Sequence, residues 1–408
     1  MREALKASPY AARTSTAPGE ADDWCAIYAT DINRSVIFTS DTDLVLYDYP
    51  KETLVVFLHE VDLLLSIRTH SPEQMRQKLQ LDSLVQFAYA LCQNQQDTAT
   101  VLIQNARSVN MKSDRYLDFS RRYTLSTMES ANRRQNSCNT PFLQDLDVRV
   151  SEFVDQALCS STRPLVYLPL LVEDPGHASA WNIGHDVRKL AYSLLASETS
   201  VDEYRRKAQG VLAHEIKTDS QADQLSGIRT MDQQVRALTL WATTRDIGSG
   251  LLWPLFGLSL VLADLNTAPA ISLALRVLNA DFDNTWAFVQ LTARLQAALY
   301  SLRMLKQIIS VRLALQEKND TELCGHLSSI NSQMALFPLL EDMFTVPGQT
   351  TRNLAEQDRL KAVVEEIYAS VGAQVPSEHV SNKKKKRQAR DLDRKRRKAE
   401  MRQTLVES

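Results

Sequence analysis

The chain has 408 residues, 44% apolar and 24% charged, with only 11 Gly and 13 Pro; that is length enough for two domains, and so few breakers argue against a many-turned β fold. Its net charge of −2 is uneven: from residue 381 onward 12 Lys and Arg face 4 Asp and Glu, a net of +8, while the rest carries 35 basic and 45 acidic residues, a net of −10. Phosphate neutralisation supplies non-specific nucleic-acid binding, so an acidic body excludes it over the whole surface and leaves a local patch or the basic tail.

In chain order, residues 13–17 (RTSTA) read as a first short strand and 18–33 as a helix with Trp24, Ile27 and Tyr28 on its apolar stripe. Residues 35–39 (SVIFT), 44–47 (LVLY) and 54–58 (LVVFL) are short, β-branched and aromatic, the pattern of buried strands. Strand–helix–strand order predicts a parallel βαβ unit. Past Asp62 the expectation is helical almost throughout. Ser71-Pro72-Glu73-Gln74 is a helix start with a capping Ser and Pro in the first turn. Helices follow over 81–92 and 97–107, then a polar connector with short helical pieces over 108–141. Amphipathic helices are expected over 143–158, 184–197, 201–214 and 232–245. More apolar ones follow over 251–265, 268–280, 286–317 and 354–371. From Pro376 the chain is a low-complexity basic tail.

Cys25, Cys92, Cys138, Cys159 and Cys324 are scattered and odd in number, which suits a reducing compartment better than a disulfide scaffold. The first nineteen residues lack the apolar segment of a signal peptide, and no apolar run reaches membrane-spanning length, so no membrane role is expected. A P-loop, GxSxG and GxGxxG are all absent, and no small-molecule cofactor is expected.

Two acidic pairs stand out. Pro18-Gly19-Glu20-Ala21-Asp22-Asp23 puts acids where a helix begins, and twenty-one residues after Glu20 comes Asp41, in Thr39-Ser40-Asp41-Thr42-Asp43, at the end of a strand. Functional groups in open α/β sheets gather at the carboxyl ends of strands, and a βαβ unit brings both pairs to one edge. Clustered carboxylates suit Mg2+ or Mn2+, which prefer oxygen ligands. Two such ions activate water and steady a leaving oxygen in phosphodiester cleavage. Either pair alone is more often a helix cap or a turn; the spacing and strand context favour the functional reading.

GEADDWCA followed by VIFTSDTDLVLYD resembles the internal motif of the flap endonuclease and XPG-type nucleases. Within them SDTDLVLYDY with VVFL, LDVRVSEF at 146–153 and VYLPLLVEDPGHASAW at 166–181 are most similar to the fungal-like Asteroid-type subgroup. The resemblance implies a mixed, mostly α protein: a partial PIN/XPG-like α/β region over 1–110, a large α-helical region over 111–375 and a basic tail over 376–408. It implies Glu20, Asp22, Asp41 and Asp43 as catalytic Mg2+ or Mn2+ ligands, with DNA or RNA as substrate.

Two departures bear on activity. Only nineteen residues precede Glu20, so the family's first strand, with its metal-binding Asp, is expected to be missing, as in an N-terminally truncated member. The expected open sheet edge is covered by the helical part, filled by another chain, or a sign of truncation. Where the family carries Gly-Asn/Ser-Asp-Tyr, this chain has Asn94-Gln95-Gln96, with Asp97 displaced. A neutral Gln at the Asp position binds a hard cation more weakly.

Lys383, Lys384, Lys385, Lys386 and Arg387, then Arg394, Lys395, Arg396, Arg397 and Lys398, form two dense basic clusters, expected as a nuclear-localisation signal or nucleic-acid-binding arm. His177 and His185 flank Trp181 and read as a loop and helix start with Trp181 in the core, since no further ligand lies at metal spacing. Cys25 reads as a buried apolar residue, not a nucleophile. Two functions are therefore expected: an XPG-type, metal-dependent phosphodiesterase with an incomplete site, or a non-catalytic nuclear protein whose helical region binds a protein or RNA partner.

Overall fold

Helix α1 (Ala21–Thr30) and two short parallel strands, β1 (Val36–Thr39) and β2 (Leu54–Phe57), form the start of the fold. The computed structural model describes residues 5, 8–14, 16–17, 21–62, 66–124, 146–159, 163–208, 210–315, 321–344 and 357–374. Strand register pairs Val36 with Leu54 and Thr39 with Phe57. On the far side of β2, Val55 and His70 exchange two backbone hydrogen bonds of 2.8 Å. The strand expected over 44–47 is instead a single 3-10 turn, Asp43–Val45. Asp41 is the cause: its Oδ1 accepts the Asp43 N–H at 3.0 Å, an Asx turn that curls the backbone as it leaves β1 and drives Leu44 into the core. The strand expected over 13–17 is not seen among the described residues; Ala11–Arg13 is a 3-10 turn.

The next helices begin where their caps dictate. Ser71 Oγ accepts the Gln74 N–H ahead of α2 (Pro72–Leu79), and Ser83 with Gln86 makes a capping box for α3 (Leu84–Gln93). Then come α4 (Ala99–Arg107) and α5 (Asp114–Ser120), the latter one of the short helical pieces expected in the connector. Ile37, Leu44, Val55, Val85, Tyr116 and Tyr123 join in one buried cluster, so the first core runs on to Tyr123.

A second, larger core begins at Leu146. It holds α6 (Val148–Cys159), β3 (Leu165–Tyr167), α7 (His185–Ser193), β4 (Ser200–Lys207) and β5 (Gly210–Lys217). The strands form a sheet of order β3-β4-β5, with β3 parallel and β5 antiparallel to β4. This corrects two expectations: the helix over 201–214 is a β hairpin, and β structure is not confined to the start. Along β4, Val201, Glu203 and Arg205 turn inward while Asp202, Tyr204 and Arg206 lie further out, a period of two. Charged residues on the buried face hid that alternation.

Glu203 is buried because Arg188 on α7 meets it. The fully buried guanidinium donates to both Glu203 oxygens, at 2.6 and 3.0 Å, and to the carbonyls of Trp181 and Ile183. Tyr192 adds a third bond to Glu203 at 3.0 Å, leaving the carboxylate well satisfied.

The remaining elements are helical: α8 (Gln221–Thr244), α9 (Ser249–Asp264), α10 (Ile271–Leu278), α11 (Trp286–Leu315), α12 (Thr321–Gln333), α13 (Leu340–Met343) and α14 (Gln357–Ser370). α12 and α13 were not anticipated. α11 is the axis of this core, packing on α7, α9, α10 and α12. Gly257 on α9 permits a close approach to α11, since a Cβ there would sit 2.9 Å from Leu295 Cδ1. Asp232 on α8 clamps α12: it accepts from Ser329 Oγ at 2.6 Å, with His326 Nδ1 at 2.8 Å and Arg236 Nε at 3.0 Å. Among the described residues no helix is long and apolar enough to cross a membrane. The fold is thus mostly α, with a partial α/β region ahead of a helical one.

Candidate functional site

The acidic residues sit where α1 begins and β1 ends. Asp22 and Asp23 occupy the first turn of α1, where the helix dipole favours negative charge. Asp41 and Asp43 follow β1 directly. Thr39 Oγ1 accepts the Asp41 N–H at 2.9 Å, and Asp41 in turn accepts the Asp43 N–H, so both are fixed by short-range turn bonds.

Two of the carboxylates are held by tyrosines. Tyr47 donates to Asp23 Oδ1 at 2.8 Å, and Tyr123 donates to Asp43 Oδ2 at 2.9 Å, with Arg122 Nη2 3.9 Å from that oxygen. The rings of Tyr47 and Tyr123 meet edge-on at 5.8 Å, and Phe119, Tyr89 and Tyr116 continue the chain of aromatic contacts. Burial first, then its bond to Asp43, pushes the Tyr123 hydroxyl up to about 12. Burial and the Asp23 bond raise Tyr47 in the same direction. Sequence reasoning missed both tyrosines, because a partner 80 residues from Asp43 leaves no local pattern.

Cys25 is exposed, not buried as expected. Its thiol is pushed up by partial burial of the sulfur and by the charge of Asp22, the opposite of what a nucleophile needs. Gln95 is exposed on the turn after α3. Asp97 faces its own loop, accepting from Asn94 at 2.8 Å and Asn105 at 3.1 Å. Trp181 is buried as read from the sequence, its indole N–H donating to the Pro169 carbonyl at 2.9 Å.

A Mg2+ or Mn2+ ion needs several oxygen ligands converging on one point. Among the described residues no group of three or more His, Cys, Asp or Glu side chains is arranged to hold a metal ion. Asp22, Asp41 and Asp43, as placed, do not make that set. Glu20 and the basic clusters at 383–387 and 394–398 lie outside the described residues.

A short parallel β pair thus carries acids at its carboxyl edge and leads into a helical body. The family described as "XPG domain containing" matches residues 1–218, and the chain belongs to that family. The match ends one residue past β5, so both sheets lie within it and α8 to α14 beyond it. No curated protein and no solved structure matches the chain.

Proposed function

We propose that this chain is an Asteroid-type nuclease homologue whose acidic constellation has an incomplete ligand set, so that alone it does not hydrolyse phosphodiesters. The observation that carries this reading is the engagement of Asp43. A carboxylate that accepts a tyrosine hydroxyl at 2.9 Å and faces an arginine at 3.9 Å is serving as a strut between β1 and the segment after α5. Asp23 is engaged in the same way by Tyr47. Neutral Gln95, where the resemblance expects an Asp, removes one more candidate ligand.

The test is a cleavage assay on flap and single-stranded DNA and RNA with Mn2+ or Mg2+, alongside calorimetric titration of Mn2+. No cleavage and no Mn2+ heat is the expected result. Mn2+-dependent cleavage abolished by Asp41→Ala would overturn it and restore Glu20, Asp22, Asp41 and Asp43 as metal ligands in an active phosphodiesterase.

In this reading the protein acts by interaction. The basic clusters direct it to the nucleus or contact nucleic acid, and the helical region carries a protein partner. Replacing Lys383, Lys384, Lys385 and Lys386 by Ala in a fluorescent fusion is expected to move it from nucleus to cytoplasm; unchanged nuclear signal would remove the localisation role.

A further inference from the structure

The β1–β2 sheet has an open edge. Leu54 N–H donates to the Ser35 carbonyl at 2.9 Å, and bonds in a parallel ladder recur at every second residue, so Ser35, Ile37 and Thr39 face β2. Val36 and Phe38 therefore turn their backbone N–H and C=O groups away from β2. The far side of β2 is paired by His70, whereas no described residue bonds the backbone of Val36 or Phe38. Their side chains, on the face opposite buried Ile37, are 50% and 55% exposed.

An edge strand exposed to solvent is ordinarily blunted by a lysine, a proline or a bulge. β1 has none of these, and its Val36, Ile37 and Phe38 make it apolar on both faces. β5, an edge of the other sheet, does carry such protection in Glu215 and Lys217. The charges flanking β1 differ in sign. Arg34 precedes it with a side chain 85% exposed, and the acidic turn of Asp41 follows it. The Arg34 pair with Glu52 lies on the surface and holds the guanidinium only weakly. A strand of the same sequence laid parallel to β1 would set acid against acid, whereas an antiparallel one sets each Arg34 beside the other's acidic turn.

From this edge we propose that a second copy of the chain pairs with β1, two-fold and antiparallel, to give one continuous sheet of order β2-β1-β1-β2. Centred on Ile37, the pairing lets Val36 exchange both its backbone bonds with Phe38 of the partner subunit, and symmetry repeats the exchange. Each β-branched side chain then lies against an aromatic one, a favourable cross-strand neighbour. The contact is isologous and closes on itself, so it stops at the dimer and does not grow into a filament. A short edge makes a small interface, so the dimer is weak and transient. Nothing in the pairing depends on whether the acids after β1 hold a metal.

Sedimentation equilibrium of the full chain across the micromolar range is the test, and a reversible monomer–dimer equilibrium is the expected result. Phe38→Pro removes an N–H that β2 does not use, so the β1–β2 ladder survives while pairing across the open edge is blocked. Val36→Lys supplies the charge that edge strands normally carry, at a side chain already half exposed. Each is expected to weaken the dimer at least tenfold and to leave the circular dichroism of the dilute monomer unchanged; if Phe38→Pro does not fold, Val36→Lys carries the test. Arg34→Glu is expected to weaken the dimer at low salt and to match the unaltered chain at high salt, where charges are screened. Leu212→Lys on β5 is expected to leave it intact. A monomer at every concentration, a dimer untouched by Val36→Lys, or a dimer lost in Leu212→Lys would overturn the proposal. A dimer unchanged or strengthened at low salt by Arg34→Glu would overturn its antiparallel form.

Discussion

At Asp43 the hydrogen bond from Tyr123 ties the end of β1 to the segment after α5. Its partner Tyr123 is expected to lose roughly 1 kcal/mol of stability as Tyr123→Phe, the usual worth of such a bond, measured by urea denaturation. A direct readout is the tyrosine's ionisation: absorbance titration should place Tyr123 near pH 12, and Asp43→Asn should lower it in part, with burial still holding it above the ordinary value. The Asp41–Asp43 pair was legible because its turn bonds are local, whereas its distant aromatic partners were not. Gln80 gives a second prediction at this scale. It is exposed and caps α2 in the left-handed region at φ 55°, a conformation that costs side-chain-bearing residues roughly 1–2 kcal/mol. Part of that is returned by the greater freedom of glycine in the unfolded chain, so Gln80→Gly should gain about 0.5–1 kcal/mol by chemical denaturation.

The hairpin of β4 and β5 shows where reading by periodicity stops. A strand whose inward residues are Val201, Glu203 and Arg205 has no apolar alternation, and its charges are inward only because Arg188 on another element neutralises Glu203. Cap-driven elements such as α2 and α3 were legible, because Ser71 and Ser83 carry the instruction within four residues. Glu203→Gln should cost roughly 3–5 kcal/mol, since it leaves the fully buried Arg188 uncompensated. The α8–α12 clamp supplies a pH dependence. Burial alone would raise the Asp232 carboxyl, but hydrogen bonds from Arg236, His326 and Ser329 outweigh it and hold the value down at about 2, against an ordinary 3.8. A depressed carboxylate contributes its stability in full above the ordinary value and loses it as pH falls toward the folded one. Melting temperatures should therefore drop between pH 4 and pH 2, and Asp232→Asn should flatten that part of the profile.

Among the described residues the two larger buried clusters, one ending at Tyr123 and the other beginning at Leu146, predict two cooperative units. Calorimetry is expected to show two transitions. Leu44→Ala should lower one and Leu302→Ala the other, each losing roughly 2–5 kcal/mol, because both leucines are almost wholly buried in different cores. A single transition displaced by both changes would show the cores to be coupled. The mostly helical balance was legible from the scarcity of Gly and Pro, which acts on every element at once. The three-stranded sheet was not, since β3 meets β4 across thirty-odd residues of intervening loop and helix.

Trp24 sits buried in α1 beside Asp23, and the other four tryptophans, Trp181, Trp241, Trp253 and Trp286, all come after residue 180. Helix α1 thus contains its own optical reporter, next in sequence to Asp23. Paramagnetic Mn2+ quenches indole emission at short range, so an ion settling among Asp22, Asp41 and Asp43 would dim Trp24 selectively. A chain with the four later tryptophans changed to Phe would isolate that signal and report metal occupancy without any turnover.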